Sequence, residues 1–146
     1  MTLLEFKENQ GKVKIKKKKE KKEDNLQVAV CKYLHSQYPD AIFICDVASG
    51  MKLQPWIAKK ISFQKSSRGI PDITIYKKNN QYSGLCLELK KDREGVFLKD
   101  GSISTSKHIS EQNNMLQRLT KEGFYAVFSC GWSDTKKIID WYMGNL

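Results

Sequence analysis

Asp72, Glu88 and Lys90 are the residues of this chain whose types and spacing best suit chemistry. Pro71-Asp72 puts an acid after a proline, and Leu87-Glu88-Leu89-Lys90 puts an acid and a base two residues apart. Phosphodiester hydrolysis needs such a set. Water is a poor nucleophile, and the phosphoryl oxygens gather negative charge in the transition state; a divalent ion answers both. Magnesium takes hard oxygen ligands, so the protein must bring carboxylates together around it. The carbonyl of Leu89, between Glu88 and Lys90, is a further hard oxygen, and Lys90 can orient the attacking water or offset phosphate charge. Alone, the pattern is weak, because any charged strand end yields Glu-x-Lys and Pro-Asp is an ordinary turn pair.

The flanking residues predict elements that position this set. From Tyr82 to Lys90, Leu85, Leu87 and Leu89 alternate with Cys86, Glu88 and Lys90, the period of a strand. Glu88 and Lys90 therefore share the face opposite three leucines, and two charges there need a reason. Asp72 to Tyr76 reads as the preceding strand, with Asn79-Asn80 as a turn between the two. In an antiparallel hairpin, the start of one strand and the end of the next lie at one end of the sheet, so Asp72 and Glu88 can reach one ion.

Elsewhere, apolar spacing of three and four at Leu26, Val30, Tyr33 and Leu34 predicts a helix from about Glu23 or Asp24 to Pro39. Ile42 to Val47 reads as a strand, and Trp56, Ile57, Lys60 and Ile61 suit a short amphipathic helix. Residues 92 to 107 read as loop. A helix capped by Ser110 and ending at Gly123, a strand at Tyr125 to Cys130 and a last helix capped by Ser133 or Asp134 complete the order. The expected fold is α/β, a mixed sheet covered by helices.

Composition narrows the partner. The 146 residues suit one domain, and 26 Lys and Arg against 16 Asp and Glu leave a formal charge of +10, which favours a polyanion. Much of the excess sits in Lys12 to Lys22, read equally well as a solvated terminus or as a phosphate-contacting arm. Residues 1–22 are expected to be a lysine-rich lead-in and 23–146 the domain, with Val13 and Ile15 suiting a short strand. No apolar run reaches the roughly 20 residues of a membrane span, and the N-terminus lacks a signal peptide, so a cytoplasmic protein with no membrane partner is expected. Cys31, Cys45, Cys86 and Cys130 form no Cys-x-x-Cys pair and read as reduced, small core residues.

The ordered set Arg68-Gly69-Ile70-Pro71-Asp72 and Leu87-Glu88-Leu89-Lys90 resembles the PD-(D/E)xK nucleases. More narrowly, it is similar to the VRR-NUC family, in its small stand-alone phage and prophage form. Glu23 with Gln27 matches the family's opening helix, and Ser110-Glu111-Gln112 the start of its later helix. Gly123-Phe124, the closing strand, Gly131 and the last helix also follow. Ser67-Arg68 stands near the place of the valine-arginine-arginine motif, with only Arg68 retained. The resemblance implies a restriction-endonuclease-like fold and Mg²⁺- or Mn²⁺-dependent endonuclease cleavage of DNA in a bacterial cytoplasm. It implies that Glu23, Asp72 and Glu88 surround the metal, that Lys90 is the catalytic lysine and that Gln112 supports the active site. It further implies a homodimer acting on branched DNA such as four-way (Holliday) junctions.

Other readings stand beside these. By the helix dipole alone Glu23 is a capping acid, and Gln27 either is solvated or braces the metal ligands. Arg68 suits bidentate phosphate contact; Lys59, Lys60 and Lys65 are further DNA-backbone candidates. Trp56, Trp132 and Trp141 suit core or dimer contacts better than base stacking. His108 reads as a loop or cap histidine. Competing functions are a catalytically inactive DNA-binding module of the same fold, a nuclease of linear or single-stranded DNA, and an assembly protein that binds nucleic acid through charge alone.

Overall fold

The computed structural model describes residues 20–48 and 51–144, with side chains described from residue 25 onward. The lysine-rich lead-in and its expected short strand thus lie almost wholly outside the described residues. The elements run α1 (Glu20–Gln37), β1 (Phe43–Cys45), α2 (Pro55–Phe63), β2 (Ile73–Ile75), β3 (Leu85–Lys90), α3 (Lys107–Lys121), β4 (Tyr125–Cys130) and α4 (Gly131–Gly144). The four strands form one sheet in the order β1-β2-β3-β4. The first two pairings are antiparallel and β3–β4 is parallel, the mixed sheet expected from the sequence.

The two faces of β3 divide the molecule as its alternation requires. Leu85, Leu87 and Leu89 enter a core with Leu26, Val30 and Leu34 of α1, Ile73 and Ile75 of β2, and Ile139, Tyr142 and Met143 of α4. The opposite face carries a smaller cluster in which Ile109 and Leu116 of α3 meet Phe128 of β4 and Val96 of the preceding loop. One face is thus covered by α1 and α4, the other by α3. Deeply buried β3 sits between the antiparallel hairpin and the β3–α3–β4 crossover.

Several boundaries differ from expectation. The clearest strand is shorter, starting at Leu85 rather than Tyr82, and the β2–β3 connection is a longer loop in which the Asn79 side chain accepts from the amides of Gln81 and Tyr82, 2.9 Å each. Helix α3 starts at Lys107, not after Ser110; Ser106 holds the cap position without a side-chain cap bond. Helix α4 starts at Gly131, and Asp134 accepts from the amide of Cys130 at 2.9 Å, tying the helix start to the end of β4. Among the described residues, no helix is long and apolar enough to cross a membrane.

Candidate active site

Register assembles the site. Ile73 pairs with both Cys45 and Leu87, so one step further along the three strands Asp46, Asp72 and Glu88 fall side by side. The Asp46 amide donates to the Asp72 carbonyl at 2.7 Å. The Asp72 carboxylate accepts from the Leu89 amide at 2.8 Å, which fixes Asp72 against the strand that carries Glu88. These strand ends open into a cleft of about 540 Å³, walled by α2, α3 and the loop before β2. Asp72, Glu88, Leu89, Lys90, Gln27, Arg68, Lys65 and Gln112 all line it. Spacing groups Asp72, Glu88, Leu89 and Lys90, the family resemblance adds Gln27 and Gln112, and Arg68 and Lys65 are separate phosphate-contact candidates; the fold brings all of them to one cleft.

Glu88 is the most constrained of them. Gln112 of α3 donates to its Oε1 from Nε2, and Lys90 Nζ lies 3.5 Å from the same oxygen. Burial raises the Glu88 carboxyl up to about 8, the Asp72 charge adding to the rise and Lys90 opposing it. Two carboxylates are therefore crowded at the mouth of a half-dry cleft, with one lysine that compensates incompletely. The other amide atom, Gln112 Oε1, is buried without a hydrogen-bond partner.

A hard divalent ion suits this arrangement. Asp72 and Glu88 offer carboxylate oxygens whose mutual repulsion a cation would reverse, and the Leu89 carbonyl is a neutral oxygen beside them. Among the described residues, no group of three or more His, Cys, Asp or Glu gathers as a metal site. Two carboxylates remain adequate for magnesium, which keeps several waters and commonly takes only one or two carboxylates from the protein. The expected third acid, Glu23, lies in the first turns of α1, and its side chain falls outside those described.

The basic residues divide. Arg68 is exposed on the cleft wall, as phosphate contact requires. Gly69 follows it with φ +82°; a Cβ there would stand 3.3 Å from the Glu111 carbonyl, so this glycine lets the Arg68 loop lie against α3. Lys65 lines the cleft but is already engaged, its Nζ 2.6 Å from Asp46 Oδ2. Lys59 and Lys60 are exposed and lie outside the cleft lining, Lys60 on the side of α2 opposite Ala58, Ile61 and Ser62 and Lys59 on its flank. A 3.6-residue period forces that separation.

Asp46 was not singled out in the sequence, where it lay inside the expected strand Ile42 to Val47. The available signal was an acid directly after the apolar Ile42–Cys45 run, matching Asp72 and Glu88 across the sheet. His108 and Glu111 also line the cleft, from the first turns of α3. His108 read as a loop or cap residue because the helix start was placed four residues too late, with Ser110 rather than Ser106 at the cap.

No protein-family model matches the chain, and no curated protein matches it. A solved structure described as a "VRR_NUC domain protein" superposes with a TM-score of 0.58 at 23% identity, over 85% of this chain and 89% of that one. The two chains share a fold. It is an α/β architecture, a mixed central sheet flanked by helices, consistent with the PD-(D/E)xK restriction-endonuclease-like arrangement. In this fold, the cleft lies where the Pro-Asp and Glu-x-Lys segments meet.

Proposed function

We propose that this chain is a divalent-metal-dependent endonuclease of DNA. One observation carries the reading: Asp72 and Glu88 are cross-strand neighbours at one end of the sheet, facing a cleft, with Lys90 Nζ 3.5 Å from Glu88. In this reading Asp72 and Glu88, with the Leu89 carbonyl and Glu23, hold Mg²⁺ or Mn²⁺. The bound ion would supply an acidified water and neutralise phosphoryl charge. The chain's own residues do the rest. The Leu89 amide fixes the Asp72 carboxylate. Gln112 fixes Glu88 from α3, and Lys90 places its ammonium beside the carboxylate, where attacking water and phosphate meet. Arg68 grips a neighbouring phosphate. The net charge of +10 supports a polyanionic substrate.

Within that reading the substrate is branched DNA, four-way junctions foremost, cut by a homodimer with one site per subunit. Two-fold symmetry in the enzyme can match that of a junction. Linear or single-stranded DNA is the alternative substrate.

The test is cleavage of four-way, flap, single-stranded and linear DNAs with Mg²⁺, Mn²⁺ or chelator. Cleavage is expected only with metal, and is lost in Asp72→Ala while DNA affinity remains. Lys90→Ala is expected to lower turnover by roughly 100-fold or more with folding intact by circular dichroism. Equal turnover in chelator, or near-normal cleavage by either variant, defeats the assignment. The second reading is a silent DNA-binding module of the same fold, which the net charge of +10 supports equally. That reading requires DNA binding without cleavage under any metal condition.

A further inference from the structure

The four cysteines are scattered in sequence, yet the fold brings two of them together. Cys31 of α1 and Cys45 of β1 place their Sγ atoms 2.6 Å apart, well inside the ordinary contact of two thiols. A disulfide bond of about 2.05 Å is a small side-chain adjustment away. Both residues are only partly buried, whereas Cys86 is buried with its thiol 3.9 Å from Thr74 Oγ1. The cysteine pair also has a neighbour that matters. Gln27, one helical turn before Cys31, donates to the Asp46 carbonyl at 3.0 Å, and Asp46 directly follows Cys45. Two successive side chains on one face of α1 therefore meet two successive residues at the end of β1, beside the cleft.

We propose that Cys31 and Cys45 form a reversible disulfide that staples α1 to β1 under oxidising conditions. The oxidant is a low-molecular-weight disulfide of the glutathione class. Burial, followed by the contact with Cys31, pushes the Cys45 thiol up to about 12, so Cys45 is a poor first nucleophile. The Cys31 thiolate attacks one sulfur of oxidised glutathione and expels a glutathione thiolate, leaving a mixed disulfide on Cys31. The Cys45 thiol gives its proton to solvent and attacks Cys31 Sγ, expelling the second glutathione thiolate. Two cysteine thiols thus lose two electrons and two protons, and one glutathione disulfide becomes two thiols. In a reducing cytosol the pair stays open. When closed, it joins positions 14 apart in sequence and holds the Gln27 turn of α1 on the strand that ends at Asp46.

Full-length protein is incubated with oxidised glutathione, or with dithiothreitol, then alkylated, digested and analysed by mass spectrometry. The expected result is an intact mass lower by two hydrogens before alkylation and, after digestion, a peptide containing Cys31 joined to one containing Cys45. The link should be lost in Cys31→Ser and in Cys45→Ser and retained in Cys86→Ser and Cys130→Ser. The linked form should melt about 5–10 °C higher than the reduced form, and dithiothreitol should reverse the gain. A glutathione adduct that persists on Cys31 without transfer to Cys45, or any linkage through Cys86 or Cys130 instead, overturns the proposal. A Cys31–Cys45 link with no change in melting temperature overturns the staple. These readouts are independent of cleavage, so they stand or fall apart from the nuclease reading.

Discussion

Glu88 is where the chemistry of a single side chain decides most. Its carboxyl titrates at about 8 because burial and the Asp72 charge both resist ionisation. In the unfolded chain the same group loses its proton in the ordinary range near 4.5. Between those values the folded state binds the extra proton, so stability is highest below the unfolded value and declines as pH rises through the window. In chelator, the melting temperature should therefore fall by several degrees between pH 5 and pH 8.5, beyond the change shown by Glu88→Gln. Adding Mg²⁺ at pH 8.5 should restore much of the loss, since a cation stabilises the ionised pair. A wild-type profile parallel to that of Glu88→Gln would show that Glu88 is not the group under strain. Glu88 and Lys90 were legible from the alternation around them. That Gln112 donates to Glu88 was not, because no local pattern links residues on a strand and on the later helix.

At the scale of elements, the site depends on β2 and β3 meeting in one register while α3 and the β4 entry close over them. Gly84 sits at the far end of that hairpin. A Cβ there would lie 2.9 Å from the Ile75 carbonyl and 2.9 Å from the Phe124 ring. Gly84→Ala must push apart β2 and the start of β4, an overpacking that costs about 1–3 kcal/mol. The expected outcome is a lower urea midpoint with unchanged slope, and normal metal-dependent cleavage per folded molecule, because Asp72 and Glu88 lie at the opposite end of the strands. An unaltered midpoint would mean that the two elements tolerate separation. Helix α2 contrasts with this close fit. Among the described residues, none of its side chains is fully buried, and Lys65 just after it is tied to Asp46. The Trp56–Ile61 spacing announced the helix correctly. It gave no hint of how lightly the helix is held, since amphipathicity reports a face and not its partner.

For the whole molecule, the β1 edge is the surface that bears on assembly. Among the described residues, strand β1 pairs with β2 alone, and Ile42 and Ile44 are 69% and 57% exposed. Nearby in sequence, Trp56 and Phe63 of α2 are 65% and 91% exposed. An open edge with apolar side chains is a surface that soluble proteins ordinarily cover or guard with charge. Under the homodimer reading, light scattering should give a mass near twice that of one chain, and Ile44→Glu should return it to one chain without loss of helix content. A monomeric wild type would remove the dimer and leave the nuclease reading in place. The last helix also leaves apolar surface open, with Trp132 and Trp141 40% and 46% exposed. Trp141 packs against Tyr125 in a tilted arrangement, 4.9 Å between ring centroids, and Tyr142 is fully buried with its hydroxyl donating to the Lys77 carbonyl at 2.5 Å.

By itself the sequence determined the α/β class, the order of elements, the inward leucines of β3 and the pairing of an acid before β2 with an acid and a lysine on β3. These follow from local rules, because side-chain period and turn chemistry act over a few residues. Tertiary structure decided what depends on contacts distant in sequence. Asp46 joined the row of acids because β1 pairs with β2. Lys65 was spent on Asp46 instead of standing free, and Lys59 and Lys60 fell outside the cleft lining, on the flank and far side of α2. Cys31 met Cys45 across the α1–β1 packing. Each of these outcomes is set by strand register and helix packing. Burial of the hydrophobic core fixes both, and no stretch of neighbouring residues encodes either one alone.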